Sequence, residues 1–126
     1  MTIPTPEQME AAVHAYVEAF AKGDPELAVA IFAEDATIED PVGTPLKRGH
    51  DEIRAFYQAS MATGARLVLD GPIRVAEGHA AFAFHVPLHF EGKDMEIHVI
   101  DTFAFDAAGK VREMRAFFGP GNMIAK

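Results

Sequence analysis

The stretch Met95-Glu96-Ile97-His98-Val99-Ile100-Asp101-Thr102-Phe103-Ala104-Phe105 decides how the chain is read. Its apolar residues recur at every second position, the period of a strand rather than a helix. One face carries Met95, Ile97, Val99, Phe103 and Phe105, and Asp101 stands in the middle of that row. Side chains alternate across a strand, so Asp101 points where the hydrophobic residues point. An ionised carboxylate on a buried face is costly, and such a group takes up a proton or a partner.

Working outward, the residues on both sides also read as strand. Upstream, residues 79–90 alternate cleanly, with Ala80, Phe82, Phe84, Val86, Leu88 and Phe90 on one face and three histidines, His79, His85 and His89, on the other. Pro87 marks an edge or a bulge, because it cannot donate to a ladder. Glu91-Gly92-Lys93-Asp94 turns this strand into the one quoted above, and Glu77-Gly78 is a two-residue turn from the strands at 67–70 and 73–76. Downstream, residues 106–110 turn into a strand at 111–118, and Gly119-Pro120-Gly121 is expected to stop the sheet.

The first half of the chain is helical. Thr5-Pro6-Glu7-Gln8 supplies a cap, a proline for the first turn and a capping-box glutamine. Met9, Val13, Tyr16, Val17 and Phe20 then form one apolar stripe, ended by Lys22-Gly23. Asp24-Pro25 opens a shorter helix with Leu27, Ile31 and Phe32 on its buried side. Residues 36–40 alternate as a strand that places Asp40 in phase with Ala36 and Ile38, and Pro41 holds Asp40 extended. Val42-Gly43-Thr44-Pro45 turns into a short edge segment. Residues 50–62 form a third helix with Ile53, Phe56, Tyr57 and Met61 inward. Three helices followed by a long meander predict an α+β fold, one curved sheet wrapped over helices, in a single domain over residues 1–126.

Bulk properties narrow the function. A net charge of −8 argues against a nucleic-acid or anionic-membrane partner. With no cysteine, disulfides and thiolate chemistry are excluded. The six histidines show no helical metal-ligand pair, so no metal is expected. Neither a signal segment nor a membrane span is visible, and the expected compartment is the cytoplasm.

Three polar groups interrupt apolar rows: Tyr16, Asp40 and Asp101. Proton abstraction next to a carbonyl needs an ionised base and a neutral donor for the enolate oxygen. A tyrosine is such a donor untuned, whereas a carboxylic acid becomes one only where an apolar site raises its pKa. Asp101 has that neighbourhood, and Asp40, beside a turn, suits the ionised role.

Tyr16 in Ala15-Tyr16-Val17, the run Ile38-Glu39-Asp40-Pro41-Val42-Gly43, Ala80-Ala81-Phe82-Ala83-Phe84, Ile100-Asp101-Thr102-Phe103 and Met114-Arg115-Ala116-Phe117-Phe118-Gly119 resemble the bacterial steroid Δ-isomerases, the ketosteroid isomerases. Two carboxyls of opposite protonation are the standard worked case of that family. The resemblance implies a cone-shaped barrel of the nuclear-transport-factor-like superfamily, with three N-terminal helices packed in a strongly curved, mainly antiparallel sheet, and a homodimer. It implies conversion of a 3-oxo-Δ5-steroid to its Δ4 isomer without cofactor or metal. Asp40 would carry the proton, and Tyr16 and protonated Asp101 would donate to the dienolate oxygen. Val42, Phe56, Phe84, Val86, Met114 and Phe118 would line the steroid slot. Tyr57 joins that binding set at a position that hydrogen-bonds the catalytic tyrosine. Phe32 and Phe118 stand where some members carry Tyr and Trp. The alternatives are another enzyme of the same fold (a polyketide cyclase, a dehydratase needing a cavity His, or an epoxide hydrolase needing an Arg between two acids) or a non-catalytic binding domain.

Overall fold

Thr5 and Gln8 close the expected capping box: the Thr5 hydroxyl accepts from the Gln8 N–H at 3.1 Å, and the Gln8 side chain accepts from the Thr5 N–H at 2.8 Å. Helix α1, Pro6–Lys22, follows and buries Met9, Val13, Tyr16 and Phe20 on one stripe. Gly23 ends it in the left-handed conformation at φ 63°, where a side chain would be strained. The computed structural model describes residues 4–125, and Phe90 by its backbone only, so the expectation for the Phe90 side chain lies outside the described part.

Helix α2, Pro25–Val29, is capped by Asp24 as expected but is only five residues long. Its inward residues are Ala28 and Val29, whereas Leu27 is 38% exposed, which corrects the expected face. The helix ends before Ile31 can take its place one turn on, and Phe32 opens a strand instead. Strand β1, Phe32–Glu39, therefore begins earlier than the alternation suggested. It forms a hairpin with the edge strand β2, Lys47–Arg48. Helix α3, Gly49–Ala62, then buries Ile53, Tyr57 and Met61 and leaves Phe56 half-buried.

The remaining strands are β3 (Val68–Leu69), β4 (Arg74–Ala76), β5 (His79–Phe90), β6 (Lys93–Phe105) and β7 (Val111–Phe117). A one-turn 3-10 helix, Pro120–Asn122, leads to β8, Met123–Ala125. The sheet therefore does not stop at Gly119. After the pair Ile100↔Phe117, β7 leaves β6, and β8 returns to pair with Met95, Glu96 and Ile97. The short strand covers an edge that would otherwise stay open.

The sheet order is β2-β1-β7-β6-β5-β3, with β4 on β5 and β8 on β6. All pairings are antiparallel except β1 with β7. That parallel closure sets strands from opposite ends of the sequence side by side. The sheet curls around the helices without closing. Pro87 lies opposite Glu96 on β6, and on its other flank β3 pairs only with Phe84 and His85, so its missing N–H faces an open edge among the described residues.

The concave side holds the core. The Tyr16 ring is edge-on to Phe20, Tyr57, Phe82 and Phe103, with centroid separations from 5.3 to 6.2 Å. Such contacts favour the edge-to-face geometry of aromatic quadrupoles and hold the tyrosine in one orientation.

Candidate active site

Asp101 is 1% exposed, on the inner face of β6 as its phase predicts. Its strand neighbours in register are Phe82 on β5 and Ala116 on β7. Val99 and Phe103 flank it along the row, both buried. Its Oδ1 is buried without a hydrogen-bond partner. A buried polar atom of this kind is rare and calls for an explanation such as a role toward a ligand.

Tyr16 comes to the same place from α1. Its hydroxyl lies 3.0 Å from that of Tyr57 on α3, with both side chains buried. The ring of Phe32 lies 5.9 Å from that of Tyr57 and ends the hydroxyl chain there.

Asp40 sits just beyond the end of β1, half-buried, across a cis peptide from Pro41. The turn that carries it is held from two sides. The Val42 N–H donates to the Ala116 carbonyl at 2.8 Å, which pins the turn to β7. The Glu39 side chain accepts from the Gly43 N–H at 2.9 Å and from Arg115 Nε at 3.2 Å. Asp40 and Asp101 therefore converge on either side of Ala116, which pairs with Asp101 in register and accepts from the Val42 N–H.

The three groups open into one cavity of about 280 Å³. Tyr16, Asp40, Ser60 and Asp101 are its polar members, and the rest of the wall is apolar. Of the expected binding residues, Phe56, Phe84, Val86 and Phe118 line it. Three do not. Val42 is 37% exposed in a surface groove bordered also by Phe84, Val99 and Phe118. Met114 is buried outside the cavity wall, paired with Phe103 and Ile38. Tyr57 stands behind Tyr16. The sequence reading did not assign Ser60, Ala65 and Leu67 to the cavity, nor Phe20, Ile97 and Val99 although it placed these last three on inward faces.

Burial dominates the electrostatics. It raises the Asp101 carboxyl well above the usual carboxylate range, and the Asp40 charge pushes it further the same way. Burial also raises Asp40, but only from 3.8 to about 6. Tyr16 and Tyr57 are pushed up as well, mainly by burial, so both stay neutral donors at ordinary pH. Burial thus drives the Asp101 carboxyl toward its protonated form more strongly than Asp40, beside a tyrosine hydroxyl that keeps its proton.

No Arg or His is among the described residues of the cavity wall. Arg115 faces outward, bonded to Glu39 and lying 5.3 Å over the Phe117 ring. His14 is exposed, and His85 pairs with Asp70 at 2.9 Å on the far side of the sheet, its ring stacked on His98. Among the described residues no group of three or more His, Asp or Glu is placed to hold a metal ion, and no helix is long and apolar enough to cross a membrane.

Comparisons with known proteins agree with this architecture. A family model described as the SnoaL-like domain matches residues 13–114. A protein of Nocardioides simplex named steroid Delta-isomerase is 41% identical over 118 residues, covering 93% of this chain and 94% of the relative. The solved structure of the epoxide hydrolase/cyclase-like enzyme SalBIII, of pyran ring formation in the polyether salinomycin, superposes with a TM-score of 0.87 over 95% of this chain and 97% of its own. At 23% identity that likeness shows the fold alone.

Proposed function

The chain belongs to the SnoaL-like domain family, and within it we propose that this protein is a steroid Δ-isomerase acting as one domain on 3-oxo-Δ5-steroids. The observation that carries the reading is the unpartnered, buried Asp101 oxygen beside neutral Tyr16, in a cavity that also presents the ionisable Asp40. The name of the Nocardioides relative points the same way.

The 3-oxo group sits at the polar end of the cavity and accepts from Tyr16 and from protonated Asp101. The Asp40 carboxylate removes a proton from carbon 4. The C–H electron pair moves into the ring, and the charge comes to rest on the oxygen as a dienolate. Both donors face this oxygen in a site walled mainly by apolar side chains, where fixed hydrogen bonds are more effective than in water. The proton on Asp40 then returns to carbon 6, two bonds from where it left, and the double bond ends in conjugation with the carbonyl. Nothing is added or lost, so the scheme requires no cofactor. With its pKa at about 6, Asp40 is roughly nine-tenths ionised at pH 7 yet more basic than an ordinary aspartate.

Arg115 turns away from the cavity, which removes the arginine an epoxide hydrolase of this fold would place between two acids. A homodimer fits the outer face of the sheet, where Ile100 and Phe117 are paired in register and are 50% and 41% exposed. The test is growth of conjugated-enone absorbance when purified protein meets a 3-oxo-Δ5-steroid. Asp40→Asn should abolish most turnover while steroid affinity persists. Absence of any enone with the unmodified protein would overturn the reading.

A further inference from the structure

We infer that the preferred steroids of this site carry an uncharged aliphatic extension at the end of the ring system remote from the 3-oxo group, held in a second apolar compartment at the mouth of the cone. The inference rests on the isomerase reading and names the substrate class within it.

A space of about 680 Å³ adjoins the catalytic cavity, and Ala65 and Ile97 line both. Beyond them its apolar wall is Pro87, Leu88, Met95 and Met123. Leu88 and Met95 face each other in register across β5 and β6 and are half-buried, and Met123 is 45% exposed. The ligand chamber thus continues outward along apolar side chains that the described residues leave partly open to water. Such continuous exposed apolar surface marks a binding site more often than it occurs by chance.

The geometry along β6 sets what would occupy it. Asp101, Val99, Ile97 and Met95 follow one another on the inner face. At about 3.3 Å per residue, Ile97 lies about 13 Å from Asp101 and Met95 about 20 Å. Four fused rings are roughly 10 Å long at about 1.5 Å per C–C bond. A nucleus whose oxygen is held by Asp101 and Tyr16 therefore ends near Ile97, where the two spaces meet. The inner cavity, about 280 Å³, lies just under the range of about 300–1,000 Å³ usual for small-molecule pockets, so it suits the compact nucleus. What projects from the far ring enters the outer compartment. Its chemistry is aliphatic: the polar members there are Thr63 and His89, and His89 is engaged by Asp94 at 2.8 Å, which leaves no lysine or arginine for an acidic terminus among the described lining residues.

The test compares two 3-oxo-Δ5-steroids, one bare at the far ring and one with a branched aliphatic chain there, each with the intact protein, Met95→Asp and Leu88→Ala. The chain-bearing steroid should show a KM about tenfold lower, the effect of burying fewer than two methylenes. In Met95→Asp, and less in Leu88→Ala, the ratio of the two kcat/KM values should fall back toward one, with folding of both variants checked by circular dichroism. Equal or poorer use of the chain-bearing steroid by the intact protein overturns the inference and leaves the isomerase reading standing. So does an equal loss for both substrates in folded variants. Conversion of neither steroid overturns the isomerase reading, and this inference with it.

Discussion

Replacing Asp40 by Asn should make the protein more stable at pH 8 and leave its stability nearly unchanged at pH 4. Burial raises this carboxyl from 3.8 to about 6, so the folded state binds the proton more tightly than the unfolded chain. Its contribution to stability is fully present below the unfolded value and is lost as pH rises through about 6. Above that, the folded protein carries an ionised, half-buried carboxylate at a cost of about 3 kcal/mol, at about 1.36 kcal/mol per pKa unit. Asn keeps the shape and has no charge to desolvate. At about 2.1 cal/mol/K per residue, a chain of 126 residues has an unfolding entropy of about 0.26 kcal/mol/K, so the gain corresponds to about 11 °C in Tm. Removing Asp40 also relieves its repulsion of any charge on Asp101, which has the same sign. Urea unfolding followed by circular dichroism at the two pH values, at a common m-value, measures the difference. The same titration should appear as a rise of kcat/KM to a plateau with its midpoint near 6. An equal effect of Asp40→Asn at pH 4 and pH 8, or a loss of stability at pH 8, would refute the reasoning.

Tyr16→Phe removes one donor and should lower kcat by on the order of a hundred- to a thousandfold, or ~2.7–4 kcal/mol. Asp101→Asn keeps a donor and should be milder than Asp101→Ala in the same enone assay; the reverse order would count against a protonated Asp101. Glu39→Ala frees the turn that carries Asp40 and should lower kcat by about tenfold with the Asp40 midpoint in place, whereas Glu39→Gln, still able to accept from the Gly43 N–H, should recover most of it. Thr5→Ala opens the capping box of α1 and should cost about 1 kcal/mol in urea unfolding without altering turnover.

Periodicity located most of the fold because β5 and β6 are long enough to state their phase several times over. The capping residues of α1 and α2 spoke just as directly. Asp101 stood out for the same reason, as the one polar residue in a row that the fold buries. Where an element is short, its periodicity carries too few repeats to define a face or an end. Helix α2 has too few turns to define a face, and Leu27 went to the wrong side. Strand β8 pairs through three residues after a Gly-Pro-Gly run whose local chemistry points to a stop. The parallel joining of β1 to β7 leaves no local trace at all, since it depends on what the rest of the sheet leaves unpaired. The site shows the same division. Tyr16 and Asp101 were legible from their rows, but that Val42 faces a groove and Met114 is packed away from the cavity depends on the curvature of the sheet. The hold of Glu39 on Arg115 and Gly43 is a tertiary fact of the same kind.

The parallel pairing of β1 with β7 also has a consequence in time. The β5–β6 hairpin joins residues close in sequence and closes a small loop, whereas Phe32 and Val111 pair across most of the length of the chain. Loop-closure entropy makes such contacts late and slow. Asp40 reaches Asp101 only through β7, so a partly folded molecule holding the hairpin and the helices has neither the convergent acids nor the desolvation that tunes them. Catalytic competence should therefore return with the slowest phase of refolding, after far-ultraviolet circular dichroism has recovered most of its amplitude. On the proposed function, regained turnover would report when β1 docks on β7.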